Sequence, residues 1–257
     1  MSDTNIKNIL ISGGGSGIGK SLALCYAKKE VNLFLCGRNL EKLEKAQKLC
    51  QKLGANVIIK SIDVRDNRIV KNWINEINKN FNIDLIIANA GISAGTAIDS
   101  ESFKQVKEIF DTNIYGVINL IQPLIERMKE RRSGQIAIIS SLAGFRGLPS
   151  SPAYSASKAA VRVYGEALRG HLKKFNIKVN VVCPGYVKTA MTDKNEFPMP
   201  FIISSEKCAN IIKKGLAKNK SRIAFPWPFY LLVWLLTLLS NKITDPIFSR
   251  LPGKKPL

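Results

Sequence analysis

The sequence predicts one α/β domain in which a parallel sheet of about seven strands carries helices on both faces. Short apolar runs alternate with longer amphipathic stretches along the chain, which is the pattern of repeated strand–helix–strand units. The 257 residues suffice for one substantial core, and we find no repeat, low-complexity tract or linker that divides them. We therefore expect a doubly wound sheet with right-handed crossovers and a site at the carboxyl ends of its strands.

Seven apolar runs account for the predicted strands. Strands that are buried on both faces of a parallel sheet read as nearly continuous apolar segments, and each run has this character. Longer stretches with helical spacing of apolar residues separate the runs, as crossover helices require. The runs centre near Ile9, Leu33, Val57, Leu85, Ile136, Val179 and Ile223.

A glycine-rich turn follows the first apolar run and precedes the first helical stretch. Strand, glycine turn and helix is the order that binds the phosphates of a dinucleotide, because glycines admit a phosphate to the main chain and a helix N-terminus carries partial positive charge. No set of these glycines has the common G-x-G-x-x-G spacing, and a merely flexible turn is the alternative. The candidate cofactor-binding residues here are Ser12, Gly13, Gly15, Ser16, Gly17, Ile18 and Gly19.

The second apolar run ends at Arg38 without a carboxylate, and the next acid along the chain is Glu41. Sites that select NAD place Asp or Glu at this strand end to bind the ribose 2′-hydroxyl, whereas an arginine accommodates the 2′-phosphate of NADP. The guanidinium is a planar fork of donors that matches a phosphate. The sequence therefore predicts NADP as cofactor, with a surface charge at a helix start as the alternative role of Arg38.

Three residues suit proton transfer to a carbonyl oxygen. Tyr154 and Lys158 are four residues apart, so a helix places them on one face, where the ammonium favours the phenolate and lowers the pKa of Tyr154 toward working pH. Ser141, delivered from a neighbouring strand end, supplies a hydroxyl that holds the same oxygen. Taken alone, a tyrosine and lysine at this spacing more often form a solvated or half-buried helix face.

Taken together, these motifs resemble the short-chain dehydrogenase/reductase family over residues 7–192. Gly13, Gly17 and Gly19 match the longer G-x-x-x-G-x-G turn of that family, with Ser12 in place of the usual threonine. The resemblance implies a Rossmann-type fold and an oxidoreductase that moves hydride between a nicotinamide and a ketone or secondary alcohol.

The resemblance also assigns catalytic roles. Tyr154 is expected to act as general acid in reduction and base in oxidation, while Ser141 orients the oxygen. Lys158 is expected to lower the pKa of the tyrosine and to hold the nicotinamide ribose. Asn113 matches the residue that holds a water linking the lysine to solvent, and a buried asparagine that bridges a helix bend is its alternative role.

Further cofactor contacts follow from the same resemblance. Ala88 stands where the family has the first asparagine of its N-N-A-G motif. For Asp63, a plain strand-end aspartate is an equally acceptable explanation. The added residues are Asp63 and Val64 beside the adenine, Asn89, Ala90 and Gly91 beneath the adenosine ribose, and Pro184, Gly185, Val187 and Thr189 near the nicotinamide, together with Tyr154 and Lys158.

The formal charge of +20 is high for a metabolic enzyme. Dispersed basic clusters on solvated helix ends explain it, and attraction to an anionic membrane surface is the alternative. Nucleic acid is not an expected partner, because no aromatic platform is interleaved with the basic clusters. The scattered cysteines and the single His171 indicate neither disulfides nor a metal site. The polar start Met1–Asn5 favours a cytoplasmic location.

The C-terminal part departs from a typical family member, so we divide the chain into a domain of residues 1–225 and an apolar extension of residues 226–257. A helix from Pro228 to about Ser240 would be roughly 20 Å long, too short to span a membrane. Aromatic residues at its start, Lys242 beyond it, a second apolar stretch (residues 246–251) and the pair Lys254 and Lys255 favour insertion into an anionic leaflet. A subunit interface, a lid over the substrate and a spanning helix are the alternatives.

The loop between Thr189 and Ser204 is also rich in apolar residues and covers the substrate in the family. We therefore expect a hydrophobic, lipid-like ketone or alcohol as substrate and a peripherally membrane-associated protein. A non-catalytic, membrane-docked sensor or scaffold that binds NADP is the alternative function. Family members often assemble through their long helices, here residues 103–131 and 153–175, so a homodimer or homotetramer is expected.

Overall fold

Seven parallel strands form the central sheet, which confirms the predicted doubly wound fold. The computed structural model describes residues 6–96, 100–193 and 195–250. Within these ranges the strands are β1 (Asn8–Ser12), β2 (Asn32–Gly37), β3 (Asn56–Ser61), β4 (Leu85–Ala88), β5 (Gly134–Ile139), β6 (Ile177–Pro184), β7 (Val187–Lys188), β8 (Ile203–Ser204) and β9 (Arg222–Phe225).

The order of the strands places a crevice beside β1. The seven-stranded sheet has the order β3-β2-β1-β4-β5-β6-β9, and every neighbouring pair is parallel. Because β2 and β4 lie on opposite sides of β1, the strand order reverses there. Ligands of such sheets bind in the crevice outside the carboxyl ends of the strands at this point. The pair β7 and β8 forms a separate two-stranded sheet that the sequence did not predict.

Helices cover both faces of the sheet. One departure from the sequence prediction is a π-helical turn, Asp111–Tyr115, which interrupts the helix expected over residues 103–131. In chain order the described helices are α1 (Gly17–Tyr26), α2 (Leu40–Lys52), α3 (Asn67–Ile77), α4 (Phe103–Phe110), α5 (Gly116–Glu130), α6 (Pro152–Leu172), α7 (Ser205–Ala217), α8 (Trp227–Leu236) and α9 (Asn241–Phe248).

Side chains of β1 alternate between two buried clusters. Ile9 and Ile11 pack with Leu22 of α1 and with residues of α2 and α7. Leu10 points to the other face and packs with residues of α3, α5 and α6, such as Val161. This period of two is the pleat of a strand that is buried on both faces, so the strand carrying the glycine turn is held rigidly from both sides.

The C-terminal extension begins directly after β9. With ten residues, α8 is about 15 Å long. It ends at Leu236 rather than near Ser240, because the amide and hydroxyl of Thr237 both bond to the carbonyl of Trp234 and tighten the last turn. None of the helices in the described ranges is long and apolar enough to cross a membrane. The segment Met1–Asn5 and the pair Lys254 and Lys255, on which two of the expectations rest, lie outside the described residues.

Candidate active site

The glycine turn is fastened to the end of β4. The buried Ser12 Oγ accepts hydrogen bonds from the amides of Asn89 and Ala90, both at 3.0 Å, and Asn89 Nδ2 donates to the carbonyl of Ser12 at 2.9 Å. A Cβ on Gly13 would lie 2.8 Å from Asn89 Nδ2, and one on Gly19 would lie 2.2 Å from the carbonyl oxygen of Gly13. The hydroxyl of Ser12 is therefore engaged in holding the turn, and only glycines allow this packing.

The rest of the turn is open to a ligand. Gly13 and Gly17 adopt positive φ angles of 66° and 51°, which favour glycine. Gly15 and Ile18 are half-buried, and Ser16 is exposed at the start of α1, whose first turn carries no acidic residue. Backbone amides at this helix start thus meet an accessible surface without a competing carboxylate, an arrangement that suits an anion.

Arg38 lies exposed at the end of β2, and a second arginine lies on the same side of the site. The carbonyl of Arg38 accepts a hydrogen bond from Ser61 Oγ at 3.1 Å. Arg65 pairs with Asp63, with 2.6 Å between Nη2 and Oδ2. Burial opposes ionisation of Asp63, yet the hydrogen bonds and charge of Arg65, together with the charge of Arg38, hold its pKa below the usual value. Sequence reasoning missed Arg65, although its position two residues after Asp63 was a signal.

Asp63 and Val64, predicted to lie beside the adenine, form hydrogen bonds within the protein. Val64 is buried, and its carbonyl accepts a hydrogen bond from Asn119 Nδ2 at 2.9 Å. Asp63 is engaged by Arg65, which agrees with the structural role considered for it. The placement of these two residues at the end of β3 keeps them beside the same crevice as Arg38.

Ser141, Tyr154 and Lys158 come together as the sequence predicts. Ser141 follows the end of β5, and Tyr154 and Lys158 lie on one face of α6. The side chains of Tyr154 and Ser141 are hydrogen-bonded to each other. Lys158 is only 5% exposed, and its ammonium lies 5.8 Å from the centre of the Tyr154 ring. The three groups thus surround one point at the carboxyl end of the sheet.

The acid–base properties of this group differ from the sequence-based expectation. Burial raises the pKa of Tyr154 above its usual value, despite the hydrogen bond from Ser141. Burial also lowers the pKa of Lys158 to about 8, so the ammonium is a weaker source of positive charge than an exposed lysine. The expected lowering of the pKa of Tyr154 by Lys158 is therefore wrong for this structure, because burial raises this pKa and the side chains that act on it are Ser141 and Tyr186 rather than Lys158.

Asn113 organises the floor of this group from inside the π-helical turn. It is fully buried, its Oδ1 accepts from the amide of Ile92 at 2.8 Å, and its Nδ2 donates to the carbonyl of Ile92 and to Ser157 Oγ. A Cβ on Gly91 would lie 3.1 Å from Asn113 Oδ1 and 3.3 Å from Lys158 Nζ. Gly91 therefore permits the close approach of the asparagine and the lysine, and π-helical turns of this kind are frequent at functional sites.

The segment after β6 borders the site on the opposite side. The amide of Gly185, after the buried Pro184, donates to the carbonyl of Phe225 at 2.8 Å. Val187 is buried, and its carbonyl accepts a hydrogen bond from Thr192 Oγ1 at 2.8 Å. A Cβ on Gly17 would lie 3.1 Å from the methyl carbon of Thr189. The predicted nicotinamide-side segment thus meets the predicted phosphate-binding turn.

Four aromatic side chains near the predicted catalytic residues form one cluster, which the sequence did not predict. The rings of Tyr186 and Phe229 stack with centroids 5.8 Å apart, and Phe197 and Phe201 each approach one of these rings to 6.2 Å. Residues 186, 197 and 201 belong to the loop after β6, whereas Phe229 belongs to α8. Their clustering depends on a contact between two distant segments, and the apolar composition of both was its signal.

Within the described ranges, no group of three or more histidine, cysteine or acidic residues is arranged to hold a metal ion. All five cysteines are free thiols, and four of them are buried. Burial raises the pKa of Cys36, Cys183 and Cys208 to about 12 and that of Cys50 to about 11. These thiols are thus protonated and unreactive at neutral pH.

Residues 7–198 match the family model described as short chain dehydrogenase. A relative named as an uncharacterized oxidoreductase from Myxococcus xanthus is 32% identical over 98% of this chain and 100% of its own length. A 3-oxoacyl-[acyl-carrier-protein] reductase from Chlamydia trachomatis is 33% identical over 72% of this chain and 76% of its own. A short-chain dehydrogenase from Sphingobium yanoikuyae, solved in complex with NADPH, has a TM-score of 0.80, covers 98% of both chains and is 19% identical, which concerns the fold alone.

Proposed function

The chain belongs to the short-chain dehydrogenase family of oxidoreductases, and we propose that it uses NADPH to reduce an apolar, lipid-like ketone. The observation that carries this proposal is the convergence of Tyr154, Ser141 and Lys158 at the carboxyl end of the sheet. A protein that only bound the dinucleotide would need the glycine turn but not a hydrogen-bonded tyrosine and serine beside a buried lysine.

The residues present fit a nicotinamide dinucleotide. The turn of Gly13, Gly17 and Gly19 is packed so closely against its neighbours that none of the three positions has room for a side chain, and the start of α1 offers amides to a pyrophosphate. Asn89 and Ala90 line the adjoining strand end, and Thr189 reaches the turn from the other side. When bound, the nicotinamide supplies or accepts the hydride.

The chain's own residues supply orientation and the proton. The amide of Ala143 donates to Ser141 Oγ at 3.1 Å, and Ser141 Oγ donates to the carbonyl of Pro184 at 3.5 Å, a long hydrogen bond that a substrate carbonyl oxygen would replace. Tyr154 donates the proton to that oxygen from Oη, and its raised pKa keeps the phenol protonated at neutral pH, the form that reduction requires. Lys158 Nζ donates one hydrogen bond to the carbonyl of Ile139 at 3.0 Å. Its other N–H groups can donate to a ribose hydroxyl or to a proton relay through Asn113.

NADP rather than NAD is the cofactor in this proposal. Arg38 is exposed at the end of β2, where an NAD-specific site has an acid, and Arg65 adds a second guanidinium nearby. Two cations at this corner suit the 2′-phosphate, because charge-assisted hydrogen bonds to phosphate are stronger than neutral ones. Arg38→Gln is expected to weaken NADPH binding roughly 10- to 100-fold and to leave NADH binding unchanged, with Arg127→Gln on the exposed face of α5 as control.

The apolar substrate follows from the aromatic group beside Tyr154. Tyr186 and Phe229 are half-buried and Phe201 is exposed, so part of their ring surface is open, and Tyr186 is near enough to Tyr154 to interact with it electrostatically. A small polar ketone would leave this surface in water, whereas an alkyl chain would cover it.

A membrane surface and a second copy of the chain are further proposed partners. Exposed apolar side chains of α8 and the turn after it, with a net charge of +20, suit an anionic leaflet. Phe103, Tyr115 and Val163 are exposed on or between α4 and α6, where a homodimer or homotetramer would cover them. Sedimentation with anionic vesicles and light scattering after gel filtration test the two contacts separately.

The activity is tested by following NADPH and NADH oxidation with a panel of ketones that runs from small polar compounds to long-chain keto lipids in detergent. Turnover of a long-chain ketone that prefers NADPH, and that is lost in Tyr154→Phe while NADPH still binds, is the expected result. Binding of NADPH with no turnover anywhere on the panel, or equal turnover in Tyr154→Phe, contradicts the proposal.

A further inference from the structure

Phe229 connects the C-terminal extension to the catalytic residues. A Cβ on Gly185 would lie 3.1 Å from Phe229 Cδ1 and 3.4 Å from Leu142 Cδ1. Leu142 directly follows Ser141 in the chain, and Gly185 lies in the segment proposed to border the nicotinamide. The phenyl ring of Phe229 is therefore one residue away from the hydroxyl that orients the substrate oxygen.

The stacking partner of Phe229 extends toward Tyr154. The Tyr186 ring lies 5.8 Å from that of Phe229 with 21° between the planes, and it is close enough to Tyr154 that ionisation of Tyr186 would raise the pKa of Tyr154. Phe197 meets Tyr186 edge-on, and Phe201 meets Phe229. We call these four rings, Tyr186, Phe197, Phe201 and Phe229, the aromatic wall.

The aromatic wall is not an ordinary piece of core. Rings that serve only to pack are fully covered, as Phe34 is in the sheet. Tyr186, Phe197 and Phe229 are only half-buried, and Phe201 is 56% exposed. Apolar ring surface that begins beside Tyr154 and ends at the protein surface is suited to a flexible alkyl chain whose carbonyl end lies at Ser141.

The position of Phe229 is maintained by its neighbour. The Tyr230 hydroxyl accepts a hydrogen bond from Arg222 Nη1 at 3.3 Å, and its ring meets Phe145 edge-on at 5.5 Å. Arg222 is itself paired with Glu166 of α6 at 2.6 Å. The first turn of α8 is thus anchored through Tyr230, so shortening the side chain of Phe229 removes ring surface without releasing the helix.

From these contacts we infer that Phe229 is a specificity-determining residue that recognises the alkyl chain of the substrate, so that the C-terminal extension is part of the substrate site. This inference rests on the proposed reduction of an apolar ketone and adds which residue selects chain length. If it is correct, loss of the Phe229 ring impairs the binding and turnover of long-chain ketones selectively, because a short ketone held at Ser141 and Tyr154 does not reach the ring.

The test compares 2-butanone with 2-decanone in wild type, Phe229→Ala and Phe229→Leu, with Leu53→Ala, an exposed leucine at the end of α2, as the control. The expected result is a roughly 10- to 100-fold fall in kcat/KM for 2-decanone in Phe229→Ala, with less than about threefold change for 2-butanone. Phe229→Leu is expected to restore most of the loss, and Leu53→Ala to behave as wild type. Equal effects on both ketones, or no effect on either, overturn the inference.

A binding measurement separates this inference from the proposed activity. In the Tyr154→Phe background with NADPH present, calorimetry is expected to show that Phe229→Ala weakens binding of 2-decanone by the same 10- to 100-fold. If wild type reduces neither ketone but this difference in binding remains, the proposed reaction fails while the role of Phe229 stands. If 2-decanone binds equally with and without Phe229, the role of Phe229 fails whatever the activity.

Discussion

The catalytic residues and the C-terminal helices are neighbours in space but are held by opposite kinds of contact. Around Tyr154 and Lys158, polar groups are buried and bonded to main-chain carbonyls of α6 and β5. In α8, apolar groups are exposed: Trp227 and, just after the helix, Leu238 each have 66% of their surface in water. Both arrangements cost stability, because buried polar groups lose hydration and exposed apolar groups contact water. They agree with the functions we propose, proton transfer for the first and contact with an apolar partner for the second.

Ser141→Ala is expected to have a large effect on the reaction itself. Its hydroxyl is hydrogen-bonded to Tyr154 and positioned by the amide of Ala143. Loss of a hydrogen-bond donor to the developing oxyanion is expected to lower kcat by about 10²- to 10³-fold. Steady-state kinetics measures the loss, and NADPH titration together with the melting temperature is expected to match the exposed control Ser133→Ala. A fall in melting temperature instead would assign Ser141 to stability.

Lys158→Met is expected to abolish activity and yet to raise the free energy of unfolding near neutral pH by on the order of 1–3 kcal/mol. Burial lowers the pKa of Lys158 to about 8 from 10.5. Below pH 8 the lysine is protonated in both states and the full desolvation cost opposes folding. Between pH 8 and 10.5 the folded protein releases the proton first, so the cost fades as pH rises.

Urea denaturation at several pH values measures this effect. The stability gain of Lys158→Met over wild type is expected to be greatest below pH 8 and smallest above 10.5. The exposed Lys214→Met is the control, for which no such trend is expected. A gain that does not vary with pH would show that packing, rather than charge, is responsible.

In the C-terminal region, removing the exposed apolar side chains of α8 is expected to weaken binding to a membrane surface and to leave the fold intact. The double variant Leu232→Ser, Leu235→Ser removes exposed side chains of α8 and is expected to weaken binding to phosphatidylserine vesicles at least about tenfold. The pair Leu49→Ser, Leu53→Ser at the end of α2 is a matched control with equally exposed leucines. Vesicle sedimentation gives the affinities, and unchanged binding in the first variant would favour a protein partner or a second copy for α8.

The smallest expected effect concerns α9. Arg146, in the loop after Ser141, donates to Thr244, pairs with Asp245 at 3.6 Å and lies over the ring of Phe248. Arg146→Ala is expected to weaken the docking of α9 by about 1–2 kcal/mol. Faster hydrogen exchange confined to α9, with unchanged exchange in the sheet, is the signature, whereas faster exchange throughout would mean that α9 supports the whole domain.

Much of the site could be predicted from residue spacing. The seven apolar runs became the seven strands, and burial on both faces leaves little choice of composition for the five inner strands, whereas the edge strands β3 and β9 are only partly buried. Tyr154 and Lys158 share a face of α6 because helix geometry alone requires it. The glycine turn lies at the end of β1 because strand, turn and helix are adjacent in the chain. The catalytic and cofactor roles of these residues stay predictions until they are measured.

Long-range contacts explain what sequence reasoning did not foresee. The stacking of Phe229 on Tyr186 joins α8 to a segment that lies far earlier in the chain, before α7, and no local pattern encodes this contact. The π-helical turn around Asn113 is recognisable only once its bonds to Ile92 are seen. The pKa of Tyr154 moved opposite to the expectation, because a sequence shows that a lysine is near but not how much water remains around the pair.

By itself the sequence determined the order of the strands along the chain, the glycine turn and the identity of the residues suited to proton transfer, since these depend on composition and on spacing of a few residues. Only the tertiary structure decided which of them lie in a desolvated environment, which distant segments meet beside Tyr154, and that α8 keeps its apolar side chains exposed. The physical reason is that burial and electrostatic strength depend on neighbours contributed by the whole fold, not on the residue or its adjacent positions.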